Sequence, residues 1–193
     1  MLIEITVQDA WGPNRDIWIE SGHDLPQSPV SKLKRLMSAG QYEEALRYAE
    51  SMIVDSELDQ VETELNAARA MIYLDRVDQG IAQLKHIIAC LEGGKKPQVV
   101  AQQGNPLSFQ NARRNQILCR AHNDLGYALA NYHGENIQAL REYHKSLTYS
   151  EVSHLDEERA NTYDNIGRLY VILGCHPQAK YWIERGRRLR CRI

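Results

Sequence analysis

From residue 28 almost to the C-terminus, apolar side chains recur three and four residues apart. Leu33, Leu36 and Met37 form one stripe, and Tyr42, Ala45, Leu46 and Ala49 form the next. Leu65, Ala68, Ile72 and Tyr73 follow, and then Ile81, Leu84, Ile87 and Ile88. A period near 3.6, interrupted at short intervals, predicts amphipathic helices packed in antiparallel pairs. Ser28-Pro29 reads as a helix start, with a hydroxyl to cap it and a proline at the first helical position. Gly40 ends that helix. Residues 93–107, GGKKPQVVAQQGNPL, hold three glycines and two prolines and read as a long loop, mobile or functional. Beyond it the pattern predicts two more pairs, over roughly 108–150 and 155–191. The first twenty residues differ. Ile3, Ile5 and Val7 alternate with polar residues, Trp11-Gly12-Pro13-Asn14 is turn chemistry, and Ile17-Trp18-Ile19 supplies a returning strand. A short β-hairpin or extended arm is therefore expected over 1–27, joined through the linker SGHDLPQS (21–28) to a helical domain at 28–193.

The later pairs repeat. Ala121-His-Asn-Asp-Leu-Gly-Tyr-Ala-Leu aligns with Thr162-Tyr-Asp-Asn-Ile-Gly-Arg-Leu-Tyr, so that Leu125-Gly126 matches Ile166-Gly167. Ala139 then matches Ala179, and Tyr143 matches Ile183. In the last pair Tyr163, Ile166-Gly167, Tyr170, Gly174, Ala179 and Ile183 stand where the tetratricopeptide repeat has its aromatic, Leu-Gly, Tyr, turn Gly, small Ala and large apolar residue. The chain resembles that family over residues 28–191. The small residues let two helices approach closely, and the large ones fill the gap between them. Gly40-Gln-Tyr42-Glu-Glu-Ala45 is a good turn and second-helix start, whereas the second pair has Asp75 at its turn and Gly80 where Ala is expected. Equivalent positions at Leu33, Ala68, Gly126 and Gly167 are 35, 58 and 41 residues apart. The first step is a standard repeat. The second holds the long loop, and the third implies longer helices. Repeats of about forty residues are similar to those of bacterial peptide-pheromone receptors and some scaffold proteins. The resemblance implies an all-α solenoid of about four repeats, used as a generic binding frame.

In such a solenoid the first helix of each pair lines the concave face. The candidate peptide-binding residues are Arg120, Asn123, Tyr127 and Asn131 in the third pair and Asn161, Asp164, Asn165 and Arg168 in the fourth. Leu65 to Ala67 and Arg69 are the counterparts in the second. Asparagine offers a donor and an acceptor to a peptide main chain, and arginine clamps a carboxylate through two parallel bonds. The pattern is similar to the backbone-binding asparagines of pheromone receptors. It is also similar to the carboxylate clamp of chaperone-tail binders, without that clamp's lysines. The plainer reading is a solvated surface.

Composition narrows the function classes. Of 193 residues, 43% are apolar and 25% charged, which excludes a wholly disordered chain. The net charge of −2 gives no global case for nucleic acid. The charge is uneven, at −6 over residues 1–100 and +4 over 101–193. Arg185, Arg187, Arg188, Arg190 and Arg192 crowd the last helix. They read either as a polar cap on an open solenoid end or as an anion-binding face. No apolar run is long enough to span a membrane, and MLIEITVQDA has no signal-peptide character. Cys90, Cys119, Cys175 and Cys191 form no C-x-x-C and are expected to be small buried apolar residues in a cytoplasmic protein.

Catalytic signals are sparse. Cys119 and His122 share a helical face, and Cys175 adjoins His176, but neither makes a four-ligand metal set, so no metal or cofactor is expected. No phosphate-binding, nucleophile-elbow or zinc-protease motif occurs. Glu43-Glu44 and Glu157-Glu158 sit near helix starts, where the helix dipole favours them. The expectation is a non-catalytic protein- or peptide-binding module, such as a regulatory or adaptor protein of bacterial type. The alternative is an assembly protein that oligomerises through its terminal arm and last helix, with a homodimer through the C-terminal helix as its simplest form.

Overall fold

A computed structural model describes residues 29–54, 56–93 and 106–193, the first three residues of the last stretch by backbone alone. The expected arm at 1–27, the Ser28 cap and most of the 93–107 loop lie outside the described residues. Within them the chain is all-α. The helices are α1 (Pro29–Ser38), α2 (Tyr42–Ser51), α3 (Glu57–Tyr73), α4 (Val77–Glu92), α5 (Pro106–Ala128), α6 (Asn136–Val152), α7 (Asp156–Ile172) and α8 (His176–Arg190). They form four successive hairpins, a solenoid of the tetratricopeptide kind.

Each hairpin closes where the repeat places small residues. In the third, a methyl group added at Gly126 would stand 2.8 Å from the Tyr143 ring and 3.1 Å from the Ala139 carbonyl oxygen. In the fourth, one added at Gly167 would stand 2.6 Å from Ile183 Cγ1 and 3.3 Å from the Ala179 carbonyl. The second hairpin exchanges the pair, with Ala68 on the first helix and Gly80 on the second. A methyl at Gly80 would meet Ala68 O at 2.7 Å and Ile72 Cγ1 at 2.6 Å. Gly80, which departs from the family pattern in sequence, is therefore the reciprocal solution to the same contact. The first hairpin sets Leu33 against Ala45, both fully buried.

The turns share one geometry. Gly40, Gly134 and Gly174 have φ near +70°, and Asp75 takes the same left-handed conformation at +60°. Aspartate tolerates that region better than most L-residues, so the turn survives without glycine. In three hairpins the next amide bonds back across five residues: Gln41 to Leu36 O at 2.9 Å, Arg76 to Met71 O at 2.9 Å and Cys175 to Tyr170 O at 2.8 Å. This is the 6→1 bond of a Schellman cap. In the third hairpin Glu135 reaches across six, to Leu129 O, because α5 ends in a π-helical turn over Leu129–His133. Gly126 and Gly134 are eight residues apart where the other hairpins have seven. The π-turn absorbs that extra residue, and the 17-residue α6 and α7 account for more of the long third step.

The core is continuous through α3. Leu33, Leu36, Met37, Ala45 and Leu46 pack on Ala67 and Ala70 of α3. The opposite side of α3, with Leu65, Ala68 and Ile72, joins a larger cluster that runs through Ile87, Ile117, Leu118, Leu125 and Tyr143 to Ile166 and Leu169. The first helices α1, α3, α5 and α7 pack on one another in series, while each second helix meets the following hairpin chiefly through its first helix. That arrangement puts the first helices on the inner side of the stack. Of the four cysteines expected to be buried, one is. Cys119 is buried beside Ser146, and burial pushes its thiol up to about 12. Cys90 and Cys191 are exposed and Cys175 is half-buried: Cys175 and Cys191 flank α8 at its two ends, and Cys90 stands on the exposed side of α4.

Substituting Gly80 with alanine forces a methyl group onto a backbone oxygen. Alanine's helix preference of about 1 kcal/mol does not offset this. The variant should lose about 1–3 kcal/mol in urea denaturation. A variant as stable as the parent would show that the second hairpin is not held at this contact.

Candidate functional site

The inner surface is built from one stripe per first helix. On α3 the residues are Asp59, Glu62, Asn66, Arg69 and Tyr73, alternately three and four apart, which keeps them on one face. On α5 they are Arg113, Gln116, Arg120, Asn123, Asp124 and Tyr127, and on α7 they are Glu158 and Asn165. The stripes are cross-linked. Arg69 grips Asp124 with two parallel bonds, Nε to Oδ2 at 3.0 Å and Nη2 to Oδ1 at 3.1 Å. Arg113 bonds Asp59 and also Glu62, the latter at 2.7 Å. Lys34 of α1 reaches the other Glu62 oxygen at 2.7 Å. Arg120 lies between Glu62 at 3.7 Å and Glu158 at 3.3 Å. Gln116 donates to Glu158 at 2.7 Å, and Asn165 donates to Asn123 Oδ1 at 3.0 Å.

Glu62 is the hub of this network. Burial alone would raise its pKa, but hydrogen bonds from Lys34 and Arg113 and the charge of both hold it below the usual carboxylate range. A carboxylate set among three cations from α1 and α5 fixes the lateral positions of three consecutive first helices.

A row of tyrosines rims the inner surface at the turn end. Tyr42 stacks on Tyr73 with ring centroids 4.5 Å apart and planes at 16°. Tyr73 lies 6.4 Å from Tyr127, and Tyr127 meets Tyr132 edge-on at 6.2 Å. Tyr73 and Tyr132 keep 39% and 41% of their surface exposed. Of the four, only Tyr127 is identified from the sequence. The signal for the others is an aromatic residue near a hairpin turn in the first three hairpins.

The remaining candidates divide. Arg120, Asn123 and Asn165 come together in the cross-linked stripe. Asn131 is exposed and its amide donates to Tyr127 O at 2.8 Å, within its own chain turn. Asn161 and Asp164 face α8 instead, where Arg190 bonds the Asn161 oxygen at 3.0 Å and Asp164 at 2.6 Å. The charge of Arg168 acts on the buried Tyr143 of α6. On α8, Arg187 and Arg190 take the places that Leu147 and Ser150 hold on α6. The last hairpin thus presents charge where an inner hairpin presents its packing face.

Outside this surface, a cavity of about 520 Å³ opens between the start of α3, the end of α4 and the start of α5, lined by Ser56, Leu58, Cys90, Gln110 and Arg114. His122, read in sequence as sharing a face with Cys119, is fully buried between Glu92 and Glu142. Among the described residues no three His, Cys, Asp or Glu side chains group to hold a metal, and no helix is long and apolar enough to cross a membrane.

No protein-family model and no curated protein matches the chain. Among solved structures it is similar to MamA MSR-1 C2, at 22% identity over 85% of this chain and 93% of that one, with a TM-score of 0.33. A superposition that loose carries no functional argument. The fold rests on the matching hairpins themselves.

Glu62 stabilises the folded state above the ordinary glutamate pKa of about 4.3, and that contribution is lost as pH falls through its lowered folded value. Glu62→Gln should therefore flatten the acid side of a plot of urea midpoint against pH. At neutral pH it should cost about 2 kcal/mol, below the 3–5 of a sealed ion pair because the three cations reach solvent. An acid limb as steep as the parent's would remove Glu62 from its place as hub.

Proposed function

We propose that the chain is a non-catalytic module whose inner face holds an extended segment of a partner protein by its main chain. The Asn123–Asn165 pair carries this reading. The single bond between the two amides leaves the Asn123 NH2 group and the Asn165 oxygen without another hydrogen-bond partner among the described residues. One donor and one acceptor, fixed side by side on neighbouring helices, match the carbonyl and amide of a peptide backbone. The tyrosine rim adds rigid aromatic surface, the residue type most often found at binding hot spots.

The ionic partners shape the specificity. Arg69, Arg113 and Arg120 are each committed to carboxylates of this chain, so a partner's carboxylate would have to displace an internal one. The reading is therefore recognition of a main chain rather than of an acidic tail. A second reading, assembly of copies through α8, draws on exposed Tyr181 and Ile193. Arg187 and Arg190 oppose it, since stacking would bury their charge. A molar mass by light scattering that stays monomeric across concentration would leave that reading without support.

Peptides selected from a random library against the intact protein supply a probe. Asn123→Ala combined with Asn165→Ala should weaken the selected peptides about tenfold, the worth of one to two hydrogen bonds, with unchanged helicity by circular dichroism. Methylating the peptide's backbone amides one at a time should reproduce the loss at one position. Unchanged affinity in both experiments would refute main-chain recognition at this pair.

A further inference from the structure

The most unusual group in the core is His122. It is fully buried on α5, and both of its ring nitrogens face carboxylates. Nδ1 lies 2.7 Å from Glu142 Oε2 on α6, and Nε2 lies 3.1 Å from Glu92 Oε1 at the end of α4. Tyr149 of α6 stacks on the imidazole with centroids 5.6 Å apart and planes at 9°, and its hydroxyl donates to the same Glu92 oxygen at 3.0 Å. Lys145 stands behind Glu142 at 3.0 Å. On α5 itself, Cys119 lies one turn before the ring, and Arg114, two turns before, donates to the Leu91 carbonyl beside Glu92.

A neutral imidazole has one donor nitrogen and one acceptor nitrogen. Facing two carboxylates, it would turn a lone pair toward an oxygen that also carries lone pairs. Only the doubly protonated ring satisfies both contacts. The two ends differ. Glu142 is 15% exposed and braced by Lys145, whereas Glu92 is 38% exposed and is the last residue of its helix.

We infer that Glu92–His122–Glu142 is a proton-controlled latch that fastens the C-terminal end of α4 to the α5–α6 hairpin. With the ring charged, Nδ1–H and Nε2–H each donate and the latch is shut. When the ring gives its proton to solvent, the N–H facing the better-braced Glu142 is kept. The bare Nε2 then repels Glu92, whose carboxylate turns outward into water, and Tyr149 loses its acceptor. The last turn of α4 is released while α5 and α6 stay packed. The sign is fixed by which form bonds: the latch holds on the acid side and opens on the alkaline side. Release acts on the last turn of α4, and so on the seam between the second and third hairpins.

Hydrogen–deuterium exchange across pH, corrected for intrinsic rates, reads the latch on the intact protein. Protection of the amides from Ile88 to Glu92 should fall about tenfold from the acid to the alkaline side, while Ile166–Leu169 of α7 stays unchanged. Nitrogen-15 shifts of the ring should show both nitrogens protonated on the acid side. Glu92→Gln should abolish the pH response, because a side-chain amide rotates to accept from Nε2–H or to donate to the bare nitrogen. Protection at Ile88–Glu92 that is flat with pH, a ring neutral at every pH, or a full response in Glu92→Gln would each overturn the latch. Glu92 is partly exposed, so this variant keeps the test open even if His122→Gln does not fold.

Discussion

The close approach of two helices within each hairpin is the constraint on which everything else rests. Where Gly126 faces Ala139 and Gly167 faces Ala179, the backbones come near enough that a single added carbon has no room. That proximity sets the depth at which Tyr143 and Ile183 fill the remaining space. It also orients the outer surface of each first helix toward its neighbour in the stack. The second hairpin reaches the same separation with the two small residues exchanged. In these three hairpins the approach therefore rests on a small pair across the contact rather than on a glycine at one position, whereas the first sets Leu33 against Ala45.

Given hairpins of fixed width, the first helices fall side by side, and their polar stripes meet. The result is not an open row of free groups. Lys34, Glu62, Arg113, Arg120 and Glu158 form a chain of alternating charge across four helices, and Arg69–Asp124 repeats the device further along, two turns on α3 and one on α5. Half-buried pairs of this kind add little stability each. Their effect is on register: an axial slip of one helix by a turn would separate several pairs together. The asparagine pair differs from them because it is neutral: one amide oxygen and one NH2 group remain for a partner, with no internal charge to displace.

Much of the fold was legible in the residues themselves. The repeat of Leu-Gly, turn glycine and alanine locates the last two hairpins, the spacing of apolar residues the first two, and Pro29 marks the first helix start. What periodicity does not show is how each helix is rotated about its own axis. Asn161 and Asn165 are four residues apart and look alike in sequence, yet Asn165 turns to Asn123 on α5 while Asn161 turns to Arg190 on α8. The same ambiguity explains the cysteines: Cys90 and Cys119 both interrupt apolar stripes, and only the packing of neighbouring helices separates the exposed one from the buried one. The pairings of Glu62 and His122 join residues 20 to 58 positions apart and leave no local trace. The extra residue in the third hairpin was countable, since its glycines stand eight apart instead of seven, but the count does not say whether it lengthens a loop or distorts a helix.

It distorts a helix, and the outcome reaches the surface. One residue inserted into a regular α-helix rotates all that follows by about 100°, and positions five apart, such as Tyr127 and Tyr132, then stand about 140° from each other. The wide turn at Leu129–His133 confines the rotation to itself, so Ala139 still finds Gly126, and it swings those two tyrosines onto a common side. The extra residue thereby extends the aromatic edge by one ring. A helix can thus carry one residue too many without losing the contact that closes its hairpin, and the surplus is spent on where two rings point.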